Sequence, residues 1–227
     1  MPTLNEAEGM RQIFPRIDRD WIDQILVVDG QSTDDTVAYA KSQGCDTYLQ
    51  QKKGIRHAYQ EGFKLIKGEI VITFSPDGNC IPELIPELVQ KVAEGYDMVI
   101  CSRYARGAKS DDDDIMTGFG NWLFTKTINI LHGGNYTDAM GIYRAYRTNV
   151  FYEMALDRED SYLTEKVTRT VIGIEPLLSV RAAKRKLKTT EIPGDEPARI
   201  AGIRKLQAFR WGGAYMLQIW REKYFWR

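Results

Sequence analysis

Histidine is scarce in this chain, and so is cysteine. The two histidines, His57 and His132, stand far apart, and the three cysteines, Cys45, Cys80 and Cys101, are odd in number and widely spaced. No CxxC pair exists, which argues against a disulfide framework or a Cys/His zinc site and fits a reducing compartment. Charge of one sign is also lacking: 31 basic residues balance 31 acidic ones. Bulk charge therefore gives no reason to expect a nucleic-acid partner. The opening residues carry no basic and apolar leader, and no apolar run approaches the roughly 18 residues of a spanning helix. The expectation is a cytoplasmic protein, soluble or peripheral on the inner face of the membrane. No internal repeat or low-complexity tract divides the chain.

What is present is enough for one good core. A chain of 227 residues that is 43% hydrophobic can build one large α/β domain or two small ones. Its most informative stretch is Glu69-Ile70-Val71-Ile72-Thr73-Phe74-Ser75-Pro76-Asp77-Gly78-Asn79. The first half is an apolar, β-branched run that reads as a buried strand, and the second half is turn chemistry. Asp77 is thereby placed at the C-terminal end of a strand, where open α/β sheets bind ligands. A hard divalent cation shared with a diphosphate needs only one or two carboxylate oxygens, and Asp77 is the candidate ligand. Taken alone, an Asp-Gly more often caps its own turn.

A second carboxylate arrives the same way. Ile25-Leu26-Val27-Val28 is a compact strand leading to Asp29, and Ser32 with Asp35 marks a helix start just after it. A short strand is expected at Thr47–Gln50, then a basic glycine turn holding Gly54 and Arg56 before another helix. Pro82 fits a helix start, whereas Pro86 reads as a kink. The next strand is Asp97–Cys101, followed by Ser102-Arg103-Tyr104. Strands and helices alternating at this spacing predict a mostly parallel, Rossmann-like sheet flanked by helices. The run Asp111–Asp114 reads as a solvated loop rather than a metal site. Helices are expected over Trp122–Leu131 and Leu177–Lys186, and an edge strand over Leu187–Ile192.

In order along the chain, Pro2-Thr3-Leu4-Asn5-Glu6, Val27–Thr36 with its Asp29-Gly30, Gly54/Ala58/Gly62, Ser75-Pro76-Asp77-Gly78 and Ser102-Arg103-Tyr104 resemble the inverting family-2 glycosyltransferases of GT-A fold. Within that group the similarity is to dolichyl- and polyprenyl-phosphate sugar synthases. Arg199-Ile200-Ala201-Gly202-Ile203-Arg204-Lys205-Leu206 is similar to their late Arg-x-x-Gly-x-x-Lys-Leu element. The resemblance implies one domain over 1–227, with a nucleotide-sugar half (1–104), an acceptor half (105–200) and an aromatic C-terminal helix (201–227).

It also implies roles. Pro2, Thr3, Asn5, Glu6 and Asp29 would hold the base and ribose of a UDP- or GDP-linked sugar, with Arg56 approaching the base or diphosphate and Ser75 beside it. Asp77 would ligate Mg²⁺ or Mn²⁺ at the diphosphate. Arg103, Arg144, Arg199 and Lys205 would clamp phosphate, since arginine offers bidentate geometry. The acceptor would be a lipid phosphate or a glycan hydroxyl. A hydroxyl needs a general base, for which Asp138 is the first candidate and Glu159-Asp160 the second. A phosphomonoester needs none.

Three features depart from the family pattern. Ser75 stands where the family's first metal-site acid would be, the apolar strand before Pro-Thr is absent, and no membrane helices follow. The tail residues Trp211, Tyr215, Trp220, Tyr224, Phe225 and Trp226 suit a membrane interface, core packing or a dimer contact equally. Two other classes stay open. One is a non-catalytic nucleotide-sugar-binding protein; the other is a sugar nucleotidyltransferase, which would want a glycine-rich basic loop that Pro2–Glu6 does not supply.

Overall fold

A computed structural model describes residues 1–200 and 208–226. Seven strands are described: β1 (Pro2–Thr3), β2 (Leu26–Asp29), β3 (Asp46–Leu49), β4 (Ile70–Thr73), β5 (Met98–Ser102), β6 (Arg144–Arg147) and β7 (Thr189–Pro193). The helices that flank them are α1 (Ala7–Ile13), α2 (Thr36–Ser42), α3 (Ile55–Gly62), α4 (Ile85–Ala93), α5 (Ile115–His132), α6 (Thr148–Glu153), α7 (Thr164–Thr168), α8 (Glu175–Lys184) and α9 (Ala208–Phe225).

The strands form two sheets, ordered β1-β2-β3 and β4-β6-β5-β7. The first is parallel throughout. In the second, β6 runs antiparallel to both β4 and β5, while β7 runs parallel to β5. The parallel expectation thus holds for β1–β3 and for β5 with β7, and fails at β6. The β5–β6 connection carries α5, yet residues 133–143 bring the chain back so that β6 enters between β4 and β5 in the opposite direction.

β1 is a two-residue stub that pairs Pro2 with Val28 and Thr3 with Asp29. No described strand joins it to β4, so the two sheets stay parted. Between them lies a cavity of about 430 Å³ lined by Met1, Leu26, Val28, Phe63, Ile70 and Ile72, among others. Burial on both faces of the larger sheet is nevertheless thorough. One cluster packs Met10, Ile13, Val27, Phe74, Leu88 and Val99, and another packs Phe63, Met98, Ile100, Tyr146, Phe151 and Leu178.

Several boundaries differ from the sequence expectation for local reasons. Pro86 lies in the first turn of α4, where a missing N–H costs nothing, so it does not kink the helix. Asp114 caps α5 in a reciprocal capping box with Thr117, starting that helix seven residues before Trp122. α8 begins at Glu175 with Pro176 in its first turn, and the chain leaves it through Lys186 at a left-handed φ of 55°. Asp34 rather than Ser32 serves the start of α2, accepting a bond from the Thr36 N–H at 3.0 Å. No described helix is long and apolar enough to cross a membrane.

Candidate active site

Two strand ends each deliver a carboxylate, one from each sheet. Asp29 closes β2 and is buried, its Oδ2 accepting the N–H groups of Gln31 and Ser32 at 3.0 Å each. Its other oxygen, Oδ1, is buried with no partner among the described residues. A buried acceptor left unpaired costs about 1–3 kcal/mol, so an oxygen held this way is poised for a donor from outside. The Pro2–Glu6 loop is stitched around it. Gly30 N–H donates to the Thr3 carbonyl at 2.8 Å, Asn5 N–H to Ser32 Oγ at 2.8 Å, Thr33 N–H to Asn5 Oδ1 at 2.8 Å and Glu6 N–H to Thr36 Oγ1 at 2.9 Å. Asn5 itself adopts φ 58°, a left-handed turn that asparagine tolerates.

Helix α1 ties this loop to the turn after β4. A Cβ on Gly9 would stand 2.3 Å from the Pro76 carbonyl oxygen, so α1 approaches Pro76-Asp77 as closely as backbone allows. Asp77 is buried at the strand end, its Oδ1 accepting the Asn79 N–H at 3.2 Å. Its Oδ2 meets Arg199 Nη1 at 3.1 Å, and the Ile200 N–H donates to the Asp77 carbonyl at 2.9 Å. The Ile200 side chain lies over Gly78, which turns at φ 103°. Ser75 is half-buried beside this turn.

Not every expected residue joins this site. Arg144 is 1% exposed; its guanidinium donates to the carbonyls of Gly141 and Ala139 and to Ser179 Oγ. It is a core arginine, and its expected phosphate-clamp role is corrected. Arg56 is likewise buried, held by Glu165 at 2.7 Å and Glu159 at 3.2 Å, so it fastens α3 to the segment carrying α7. Asp138 is fully buried and gripped by Arg103 through Nε at 2.6 Å and Nη2 at 3.0 Å. Burial alone would raise its carboxyl, but the Arg103 charge and hydrogen bonds outweigh it and hold it below the ordinary value of 3.8. The carboxylate expected as general base is thus fully buried against Arg103 in this structure. Glu159, the other candidate, pairs with Arg56 and Lys52. Lys205 lies outside the described residues.

Two residues that the pattern did not single out belong to the site. Asn79 follows Asp77 by two, and its Oδ1 is buried without a partner among the described residues. Asp112, from the run read as merely solvated, accepts from Asn79 Nδ2 at 3.1 Å and from Arg199 Nη2 at 3.4 Å. Its neighbour Asp113 stands 3.7 Å from Arg103, and Glu196 lies 3.3 Å from the same guanidinium. Asn79 was within reach of spacing arguments; the fold-back of residues 110–114 was not.

Does this donor set suit a divalent cation? Among the described residues no group of three or more His, Cys, Asp or Glu forms a self-contained metal cage. A cation shared with a diphosphate does not need one, since phosphate and water supply the remaining oxygens. An arginine already occupies the cation position on Asp77, and the Asn79 oxygen awaits a partner. The residues present fit such an ion.

Comparison with known proteins then decides the family. The model of glycosyl transferase family 2 matches residues 1–155. The chain belongs to that family. Among curated family relatives, "Glycosyltransferase AglJ" of Haloferax volcanii is 29% identical over 97% of this chain and 70% of its own length. "Dolichol-phosphate mannosyltransferase" of Pyrococcus furiosus is 28% identical over 91% of this chain, which spans 58% of that protein. "Undecaprenyl-phosphate mannosyltransferase" of Micrococcus luteus is 28% identical, with 85% and 80% covered. A glucosyl-3-phosphoglycerate synthase from Mycobacterium tuberculosis, solved with Mn²⁺, UDP-glucose and phosphoglyceric acid, superposes with a TM-score of 0.64. It is 16% identical, with 96% of this chain and 77% of that one covered. That likeness shows the fold, the GT-A arrangement of this glycosyl transferase family 2 chain.

Proposed function

We propose that this chain is an inverting glycosyltransferase that moves a sugar from a nucleotide diphosphate to a polyprenyl phosphate. The observation that carries this reading is Asp77 at the end of β4, cation-paired and joined through Gly9 and α1 to the Asp29 pocket. Asp29 and the Pro2–Glu6 loop would receive the base and ribose, and Asp77 with Asn79 would hold Mg²⁺ or Mn²⁺. When bound, such an ion neutralises the departing nucleoside diphosphate. The relatives named for dolichol and undecaprenyl phosphate support the acceptor class. So does the site's chemistry: with Asp138 fully buried and paired, an acceptor that is already anionic suits it better than a hydroxyl. Among the described residues Arg199 is paired with the Asp77 carboxylate and is the candidate for the acceptor phosphate.

Peripheral membrane contact belongs to the same reading. Ile115, Met116, Phe119 and Trp122 of α5 are exposed, as are Trp220, Tyr224 and Phe225 of α9. Flotation with liposomes tests this, and failure to float with any lipid composition would count against it.

A thermal-shift panel of UDP, GDP, dTDP and CDP, each with Mn²⁺, Mg²⁺ or chelator, tests the central claim. A ligand at a hundred times its Kd should add roughly 2.7 kcal/mol. One nucleotide shifting the midpoint only with metal supports the transferase; no shift from any would overturn it.

A further inference from the structure

We infer that Gln50 is a positioning residue of the donor pocket: its carboxamide, lying between Gly30 and the turn over residues 51–54, holds that turn as a wall beside Asp29. This rests on the reading of Asp29 and the Pro2–Glu6 loop as the nucleotide pocket, and it adds to that pocket a residue from a third strand end.

Gln50 follows β3 directly and is 6% exposed. Its backbone N–H donates to the Asp29 carbonyl at 2.8 Å, so the start of the turn is bonded to the pocket residue itself. The side chain then fills the space between two backbone segments. On one side, a Cβ on Gly30 would stand 3.4 Å from Gln50 Oε1 and 3.1 Å from the Thr3 carbonyl oxygen. On the other, Gln50 Nε2 donates to the Gly54 carbonyl at 2.7 Å and to the Lys52 carbonyl. Both neighbours of that nitrogen are acceptors, which fixes the way round the amide sits.

The turn has other supports, but they act elsewhere on it. Glu61 of α3 takes the N–H groups of Gln51 and Lys52 at 2.7 and 3.0 Å. Val171 packs behind Gly54, where a Cβ would stand 2.6 Å from Val171 Cγ1. Among the described residues, the Gln50 amide is the side chain that joins the turn to the Asp29-Gly30 segment. Gly54 turns at φ 112°, and its carbonyl also accepts the His57 and Ala58 N–H groups that begin α3. One glutamine thus ties the end of β3 to the start of α3 beside Asp29. Asp29 Oδ1 is buried without a partner among the described residues, and a nucleotide engaging it meets a turn already set. Such a turn has little ordering entropy left to lose on binding.

Calorimetric titration of UDP and GDP, with Mn²⁺ present, tests this on the wild type, Gln50→Met and Gln50→Glu. Methionine keeps the length and loses the donor, so nucleotide binding at pH 7.5 should weaken about tenfold, the scale of ordering one short segment. Gln50→Glu keeps the shape, but a carboxylate cannot donate to carbonyls, and it should fail alike at pH 7.5. The charged groups around the new carboxyl are Asp29 on β2, Glu61 on α3, and Lys52 and Lys53 on the turn. Burial disfavours its ionised form, so at pH 5 it takes a proton and donates again. Binding relative to the wild type at the same pH should then recover in Gln50→Glu and not in Gln50→Met, a difference that misfolding cannot produce. Equal affinity in the wild type and Gln50→Met overturns the inference, as does a Gln50→Glu deficit that stays the same at pH 5. Failure of the pocket reading looks different: the wild type then binds neither nucleotide, and the inference falls with it.

Discussion

Arg103 holds Asp138 through two parallel bonds, 2.6 Å from Nε and 3.0 Å from Nη2, around a carboxylate with no solvent exposure. Removing one member of such a pair leaves the other charge buried without its main partner, which typically costs about 3–5 kcal/mol. Asp138→Asn is therefore expected to lower the chemical denaturation midpoint strongly. A general base would behave otherwise, with activity lost and the midpoint kept. Denaturant titration of the variant separates the two.

Acid should weaken the fold in separable steps. His132 is buried, its Nε2 bonded to the Ile219 carbonyl at 2.9 Å. Burial keeps its folded pKa below 6.5. Below pH 6.5 the unfolded chain therefore binds a proton that the folded chain refuses, and stability falls with pH. Asp138, held below 3.8, adds stability above that value that is lost as pH falls through its folded pKa. Glu175 and Glu196 act oppositely: burial raises both above 4.5, so protonation between 4.5 and their folded values favours the fold. Comparing the wild type with His132→Gln isolates the first step. The difference between the two denaturation midpoints should change between pH 7.5 and 5.5 and stay flat above it.

Gly9 makes the contact between α1 and the cation-site turn. Alanine there gains helix propensity worth under ~1 kcal/mol but places its Cβ 2.3 Å from the Pro76 oxygen. Overpacking of this kind costs about 1–3 kcal/mol, so Gly9→Ala should destabilise the fold and weaken metal-dependent nucleotide binding together. Gly118→Ala in α5 meets nothing within 4 Å and should stabilise by up to ~1 kcal/mol. A neutral Gly9→Ala would show that α1 can move away from Pro76 freely.

Short-range chemistry was legible and long-range pairing was not. β2, β4 and β5 announced themselves as apolar runs ending in Asp29, Ser75-Pro76-Asp77 and Ser102, because strand propensity and turn residues act within a few positions. The same local logic put Asp77 and Asp29 at strand ends, but on one sheet edge, whereas β2 and β4 belong to separate sheets. It could not tell a core arginine from one at the Asp77 turn: Arg144 and Arg56 differ from Arg199 only in what folds around them. Asp138 looked like a base until Arg103 was found on it. The Asp111–Asp114 run was read as solvated because like charges in sequence repel, yet each of Asp112, Asp113 and Asp114 has a separate structural partner. β6 entered antiparallel for the same reason, since strand direction follows from where a connection ends rather than from the strand's own residues.

Asp29 offers the sharpest test of the donor pocket. Oδ2 is committed to the Gln31 and Ser32 N–H groups, and Oδ1 is buried with nothing to accept. In Asp29→Asn one oxygen remains for the two backbone donors, while the amide that replaces the second oxygen offers N–H groups where an acceptor stood. The turn should survive with a change of about 1 kcal/mol, the net worth of a typical hydrogen bond. Recognition should not survive: a nucleotide donor facing this oxygen would lose a charge-assisted bond worth roughly 1.5–3 kcal/mol, about a tenfold to hundredfold loss of affinity. Calorimetric titration of UDP and GDP with Mn²⁺ against both proteins reads that loss directly. A ligand-free thermal midpoint, measured alongside, shows that the turn still stands. Equal affinities would place the base and ribose away from Asp29 and leave its unpartnered oxygen without a function in donor binding.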